Sequence, residues 1–145
     1  MRMKFTWNSE NVALPAIDYP AVEAWLAEVA GMHERSIGRL NYIFTDDPSM
    51  LDLNRRALGH DYFTDIITFD YSTPSIVAGD MYISLDTVAS NAELVGATYM
   101  AELHRVIVHG LLHLCGIDDK GPGQREIMEH NENQALARLS KSALS

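Results

Sequence analysis

The sequence holds one cysteine, Cys115, in 145 residues. A single thiol excludes an intrachain disulfide framework and fits a reducing compartment. Long apolar runs are also missing. No segment approaches the roughly 18 apolar residues that span a bilayer, and Met1-Arg-Met-Lys-Phe-Thr-Trp-Asn turns polar too soon for a signal peptide. The expected compartment is the cytoplasm. Basic residues are scarce: 11 Lys and Arg face 20 Asp and Glu, for a net charge of −9. That balance opposes a simple basic nucleic-acid-binding module. Action on a polyanion would need a local positive patch, a metal, or a partner that delivers the substrate. Repeats, low-complexity tracts and linkers are absent as well. With 47% hydrophobic and 21% charged residues, the chain reads as one soluble domain over 1–145, with a flexible tail at 140–145. Oligomeric state leaves no signal in the sequence.

What is present alternates. Met1–Trp7 reads as a strand. Tyr19–Met32 reads as a helix, with Val22, Trp25, Leu26 and Val29 at helical spacing. Leu40–Phe44 is a strand, followed by a turn at Thr45-Asp-Asp-Pro48. Asp47 or Ser49 would cap a helix running to about Leu58. Asp65–Tyr71, rich in β-branched and aromatic residues, reads as a buried strand. Gly79–Leu85 alternates Met81, Ile83 and Leu85 against Tyr82 and Ser84, and Asp86 then caps a helix over Thr87–Leu94. Thr98–Cys115 is a long helix, apolar nearly all round and therefore central. Pro122 opens a more polar helix, Gly123–Leu139. The pattern predicts one α+β domain, with a small mixed sheet of about four strands packed with helices around a central helix.

That central helix carries the densest chemistry, His109-Gly-Leu-Leu-His113-Leu-Cys-Gly116-Ile-Asp-Asp119. Residues 109 and 113 are one turn apart and offset by only about 40°, so both imidazoles project from one face. Gly116 can take the left-handed conformation that ends a helix. The chain can then return with Asp118 or Asp119 toward the same point. Two imidazoles and a carboxylate, with a position left for water, make up a catalytic metal site. Two histidines in the most apolar helix also incur desolvation unless a ligand satisfies them. The alternative is a polar pair bonded to backbone carbonyls inside the core. His104, about 140° around the helix from His109, faces elsewhere and reads as structural or surface, whereas His33, His60 and His130 read as solvated. Cys115 is phased away from the ligand face. In zincin proteases the spacing is H-E-x-x-H, and the glutamate is the general base. Gly110 stands in that place here, which disfavours peptide hydrolysis.

The segment resembles the H-G-x-L-H-L-x-G-x-D-H signature of the YbeY family, bacterial endoribonucleases specific for single-stranded RNA. Leu53-Asn54 with Thr64-Asp-Ile-Ile-Thr-Phe69 is similar to the family's L-N-x-x-x-R…T-D-V-L-S-F block. Gly79-Asp-Met-Tyr-Ile-Ser84 is similar to its G-D-I-x-I-S strand. The resemblance implies a YbeY-like, metalloprotease-like fold and one zinc ion per chain, held by His109, His113 and Asp119. It implies action on single-stranded rRNA of the small ribosomal subunit, in 16S rRNA 3′-end maturation and ribosome quality control, and no membrane. Catalysis would come from a metal-activated water, with Asp118 a proton acceptor, a second carboxylate orienting the site, or a turn residue.

Two departures from the pattern stand out. The third family histidine falls on Asp119, so a divalent site is left at +1 rather than +2. Bound water should then be acidified less, and the oxygen ligand tolerates Mn²⁺ or Fe²⁺ better. The family arginine before the T-D block falls on Leu58. Arg55 or Arg56 is the candidate to contact substrate phosphate instead; the alternative is two solvated arginines on an amphipathic helix. Tyr82 or Tyr71 is placed to stack a base, or else to pack with a satisfied hydroxyl. Two other functions stay open: a metalloprotease-like or other small-substrate metallohydrolase, and a ribosome-assembly binding factor with a structural metal.

Overall fold

A computed structural model describes residues 4–139. Asp18 starts the first helix by accepting the Ala21 amide, and Pro20 lies in its first turn, where the missing N–H costs nothing. The helix, α1, spans Tyr19–Met32 and buries Val22, Trp25, Leu26 and Val29. It follows strand β1, Phe5–Ser9, and leads into β2, Ser36–Thr45. Helix α2, Asp47–Leu58, is capped by Asp46 rather than Asp47 or Ser49; the Asp46 carboxylate takes the Ser49 amide at 2.9 Å. Asp47 is already helical. Its carboxylate instead accepts from the Ser84 and Thr87 hydroxyls at 2.6 and 2.5 Å.

Strand β3 covers Ile66–Asp70 and β4 covers Ile76–Ser84. Ser84 caps α3, Leu85–Val95, so Leu85 belongs to the helix and Asp86 sits in its first turn. The long helix α4 spans Tyr99–Leu114 with Thr98 as its cap, and α5 spans Gln124–Ala137. The expected tail at 140–145, and Met1–Met3 of the expected first strand, fall outside the described residues.

The four strands form one mixed sheet in the order β1-β2-β4-β3. β1, β2 and β4 run parallel, and β3 runs antiparallel to β4. β3 is therefore an edge strand, contrary to its buried reading. Only Ile67 is fully enclosed, because among the described residues one side of the strand has no neighbour. Phe69 and Tyr82 shield each other edge-to-face on the outer surface at 6.0 Å. The inner surface carries Leu40, Tyr42, Phe44, Val77, Met81 and Ile83, all buried against helices.

Helix α4 lies on that surface and touches α1, α3, α5, β3 and β4. Its height over the sheet is set by two glycines. A Cβ on Gly110 would lie 2.7 Å from Met81 Sδ and 2.8 Å from Ile66 Cδ1. A Cβ on Gly79 would lie 2.6 Å from the Phe69 carbonyl oxygen and 3.1 Å from Leu114. Tyr42, on the neighbouring strand, donates its hydroxyl to the Ile107 carbonyl at 2.8 Å and fixes the helix lengthwise. Since the Phe69 carbonyl is backbone and cannot swing away, Gly79→Ala is expected to destabilise the protein by about 1–3 kcal/mol. Urea unfolding of chelated protein measures this, and an unchanged midpoint would refute the packing account.

Candidate metal centre

His109 and His113 stand on a flank of α4, about a quarter-turn round from the sheet-facing Gly110, half-buried with side-chain exposures of 19% and 27%. Just beyond them the helix stops. Cys115 is the last residue in line, Gly116 takes φ 91°, and the Ile117 amide reaches back to the Leu112 carbonyl at 3.1 Å. This glycine-ended closure reverses the chain. Arg35 holds the stop from the other side by donating to the Cys115 carbonyl at 3.2 Å. The exposed Asp118 then forms a turn, its carboxylate accepting the amides of Asp119 and Lys120 at 2.7 and 3.2 Å. Asp118 thus shapes the loop, and Asp119 is the residue brought home.

Its two carboxylate oxygens lie 3.4 Å from His109 Nε2 and 3.5 Å from His113 Nε2. One ligand atom from each of His109, His113 and Asp119 falls within 4.8 Å of the other two. Those separations suit donors around one ion. The tautomer fits as well. His109 donates its Nδ1–H to Glu132 of α5 at 2.6 Å, which leaves the Nε2 lone pair for a metal. Carboxylate, imidazole and ion in line are the usual means of orienting a ligating histidine. Glu132 is tied in turn by Arg105 at 2.7 Å.

Charge follows this geometry. Burial lowers the His109 pKa, but the hydrogen bond and charge of Glu132 outweigh it, so His109 titrates above its ordinary range. Burial and the neighbouring His109 hold His113 below its ordinary range. Glu132 opposes its own burial through bonds from His109 and Arg105 and stays below the usual carboxylate range. Asp65, at the start of β3, is pushed up by burial. Burial together with Asp65 does the same to Glu102.

Glu132 was invisible to motif reading, being 23 residues beyond His109 on a polar helix. One signal exists: α5 buries Met128, Glu132 and Ala135, a core stripe with a glutamate in it. The other candidates lie apart from this centre. Arg55 pairs with Asp61 at 2.5 Å and Arg56 with Asp52 at 2.9 Å, all on exposed surface. Neither lines the cavity that opens beside His109, whose guanidiniums are Arg105 and Arg125. His104 is enclosed under Trp25 and donates Nδ1–H to the Met100 carbonyl at 2.6 Å. His60 and His130 are exposed and His33 is half-exposed. Burial raises the Cys115 thiol to about 11, so it stays protonated and unreactive. Gly110, where a zincin glutamate would sit, faces Met81 and Ile66, so a side chain there would meet the sheet and not the metal position.

A helix-borne pair of histidines closed by a carboxylate after the helix stop makes a group that could hold a metal ion, on a small α+β scaffold. Known proteins name the family. The family model described as Endoribonuclease YbeY matches residues 9–140. Endoribonuclease YbeY of Parabacteroides distasonis is 53% identical, over 94% of this chain and 96% of its own. That of Bacteroides thetaiotaomicron is 53% identical, over 93% and 98%, and that of Porphyromonas gingivalis 45%, over 96% and 92%. The chain belongs to the YbeY endoribonuclease family. Among solved structures, TM1509 from Thermotoga maritima, determined in solution, shares the fold with a TM-score of 0.62 over 92% of this chain and 89% of its own, at 22% identity.

Two outcomes test the centre. Asp119→Ala is expected to lose metal while Asp118→Ala retains it, and Glu132→Gln is expected to weaken affinity about 10–100-fold; competition titration with a chromophoric chelator reads all three, and equal affinities would remove Glu132 from the site. Metal must displace the proton that His109 holds up to a raised pKa. Affinity is therefore expected to fall as the pH is lowered from about 8 to about 6, and a flat profile would contradict the His109–Glu132 linkage.

Proposed function

We propose that this protein is a metal-dependent endoribonuclease that cleaves single-stranded RNA, in the maturation of the 16S rRNA 3′ end and in ribosome quality control. The observation that carries the reading is the convergence of two free Nε2 atoms and one carboxylate in a chain of the YbeY family. His109, His113 and Asp119 would hold one zinc ion per chain. A divalent cation, when bound, supplies Lewis-acid stabilisation of a phosphoryl oxygen and acidifies a water.

The residues of the chain do the rest. Glu132 keeps the Nδ1 proton on His109 and fixes its ring. Asp119 lowers the charge of the site by one relative to three imidazoles, which favours release of an anionic product. Asp118, bonded to two amides, holds Asp119 in place rather than moving a proton. Arg125, at the cavity wall, is the cation available to a phosphate, since Arg105 is engaged by Glu132 and Asn133. Arg55 and Arg56 would act only as an outer contact for the RNA chain, released from their acidic partners. The protein would work as one domain in the cytoplasm; no described helix is long and apolar enough to cross a membrane.

The test is a paired assay with single-stranded RNA and casein. Loaded wild type is expected to cleave the RNA and leave casein intact, while His113→Ala and chelated protein lose at least about a hundredfold of the rate. RNA cleavage that survives both changes would overturn the metal mechanism. Metal retention with no cleavage of either polymer would favour an assembly factor with a structural metal.

A further inference from the structure

The cavity that opens at His109 runs back along α4 past Arg105 to Glu102 and reaches Leu94 and Val95 at the end of α3. Its volume is about 710 Å³, within the range of about 300–1,000 Å³ typical of small-ligand sites. Away from Arg125 at its wall, its charge is wrong for a phosphate. Five carboxylates line it against two guanidiniums, and Arg105 is already bonded to Glu132 and Asn133. Part of its wall is apolar: Val106 and Met128 are buried, and Leu136 packs against the core beside them.

Glu102 is the unexplained group. It is 8% exposed, lines the cavity, and is held above the usual carboxylate range mainly by burial. Among the described residues its carboxylate accepts no hydrogen bond, although Glu132, equally enclosed, accepts two. Its oxygens are not sealed in the core, so donors can reach them from outside. The cavity is the route by which they can arrive. Glu102 also shares a helix face with the metal position, since 102, 106, 109 and 113 repeat at four, three and four residues. Seven residues at about 1.5 Å separate it from His109 by roughly 10 Å.

We propose that this cavity receives one base of the single-stranded RNA, guanine above the others, with Glu102 accepting hydrogen bonds from its Watson–Crick edge. The inference rests on the endoribonuclease reading for the identity of the ligand. Guanine presents N1–H and the N2 amino group side by side, which two carboxylate oxygens can accept together. Uracil presents one imino proton between two carbonyls, which a carboxylate repels. A flat heterocycle suits the apolar part of the wall, and the phosphates stay outside the acidic interior.

The experiment uses the full chain, metal-free and zinc-loaded, with fluorescein-labelled oligouridines carrying one guanosine, one inosine, or neither. Wild type is expected to bind the guanosine probe about 5–100-fold more tightly than plain oligouridine, with inosine between them. Glu102→Gln keeps the shape and replaces an acceptor by an amide; it is expected to bring the three probes within about twofold. Ala101→Phe, which fills the cavity from a half-exposed wall, is expected to do the same with the carboxylate intact. Equal binding of the three probes by wild type would overturn the proposal, as would a preference that survives in a folded Glu102→Gln or Ala101→Phe protein. Cleavage of the same probes separates the two readings. Selective binding without cleavage by loaded wild type sinks the nuclease and leaves the base site standing. Cleavage without base preference does the reverse.

Discussion

The close seating of α4 on the sheet is the constraint from which the rest of the molecule follows. It is a reciprocal contact: Gly110 of the helix admits Met81 and Ile66, and Gly79 of the sheet admits Leu114. With the helix seated through Gly110, His109 and His113 fall on its flank, about a quarter-turn away, and reach solvent there, while Leu111, Leu112 and Leu114 remain enclosed. The same seating removes position 110 from the reaction. A proteolytic glutamate there would be driven into thioether and methyl groups, at the cost of a buried charge. Packing and chemical specificity are thus one decision made at one residue.

Around that helix the electrostatics are arranged for a cation in an acidic surrounding. Glu132 is held by Arg105 and His109 together, so the carboxylate that orients His109 is itself fixed by two partners. A net charge of −9 is compatible with a polyanionic substrate if attraction is concentrated at the ion and at a few arginines, and if bases, not phosphates, enter the interior. Local field and net charge then serve different ends: the first selects, and the second discourages indiscriminate adhesion to nucleic acid.

Much of this was legible in the residues. The bounds of α1 follow from Asp18, Pro20 and a clean apolar spacing, and α4 from its uninterrupted hydrophobicity. The histidine pair needs only helical periodicity to be found. Three things were not legible. Cap assignments slipped at α2 and α3 because Asp46, Asp47, Ser84 and Asp86 are all competent caps, and which one serves depends on bonds made across 37 to 40 residues. β3 looked buried because β-branched composition reports the pleat and not the number of neighbours. Glu132 carried no local signal, since its partner is on another helix and the pairing exists only after packing.

That last point bears on biosynthesis. Trp25 donates its indole N–H to the Ala135 carbonyl, and Arg138 pairs with Glu28, so the helix bearing Glu132 is anchored to α1. A nascent chain that has emerged only as far as Asp119 owns all three candidate ligands yet lacks the carboxylate that aims His109. The aiming of His109 by Glu132 therefore exists only once α5 has packed on α4 and α1.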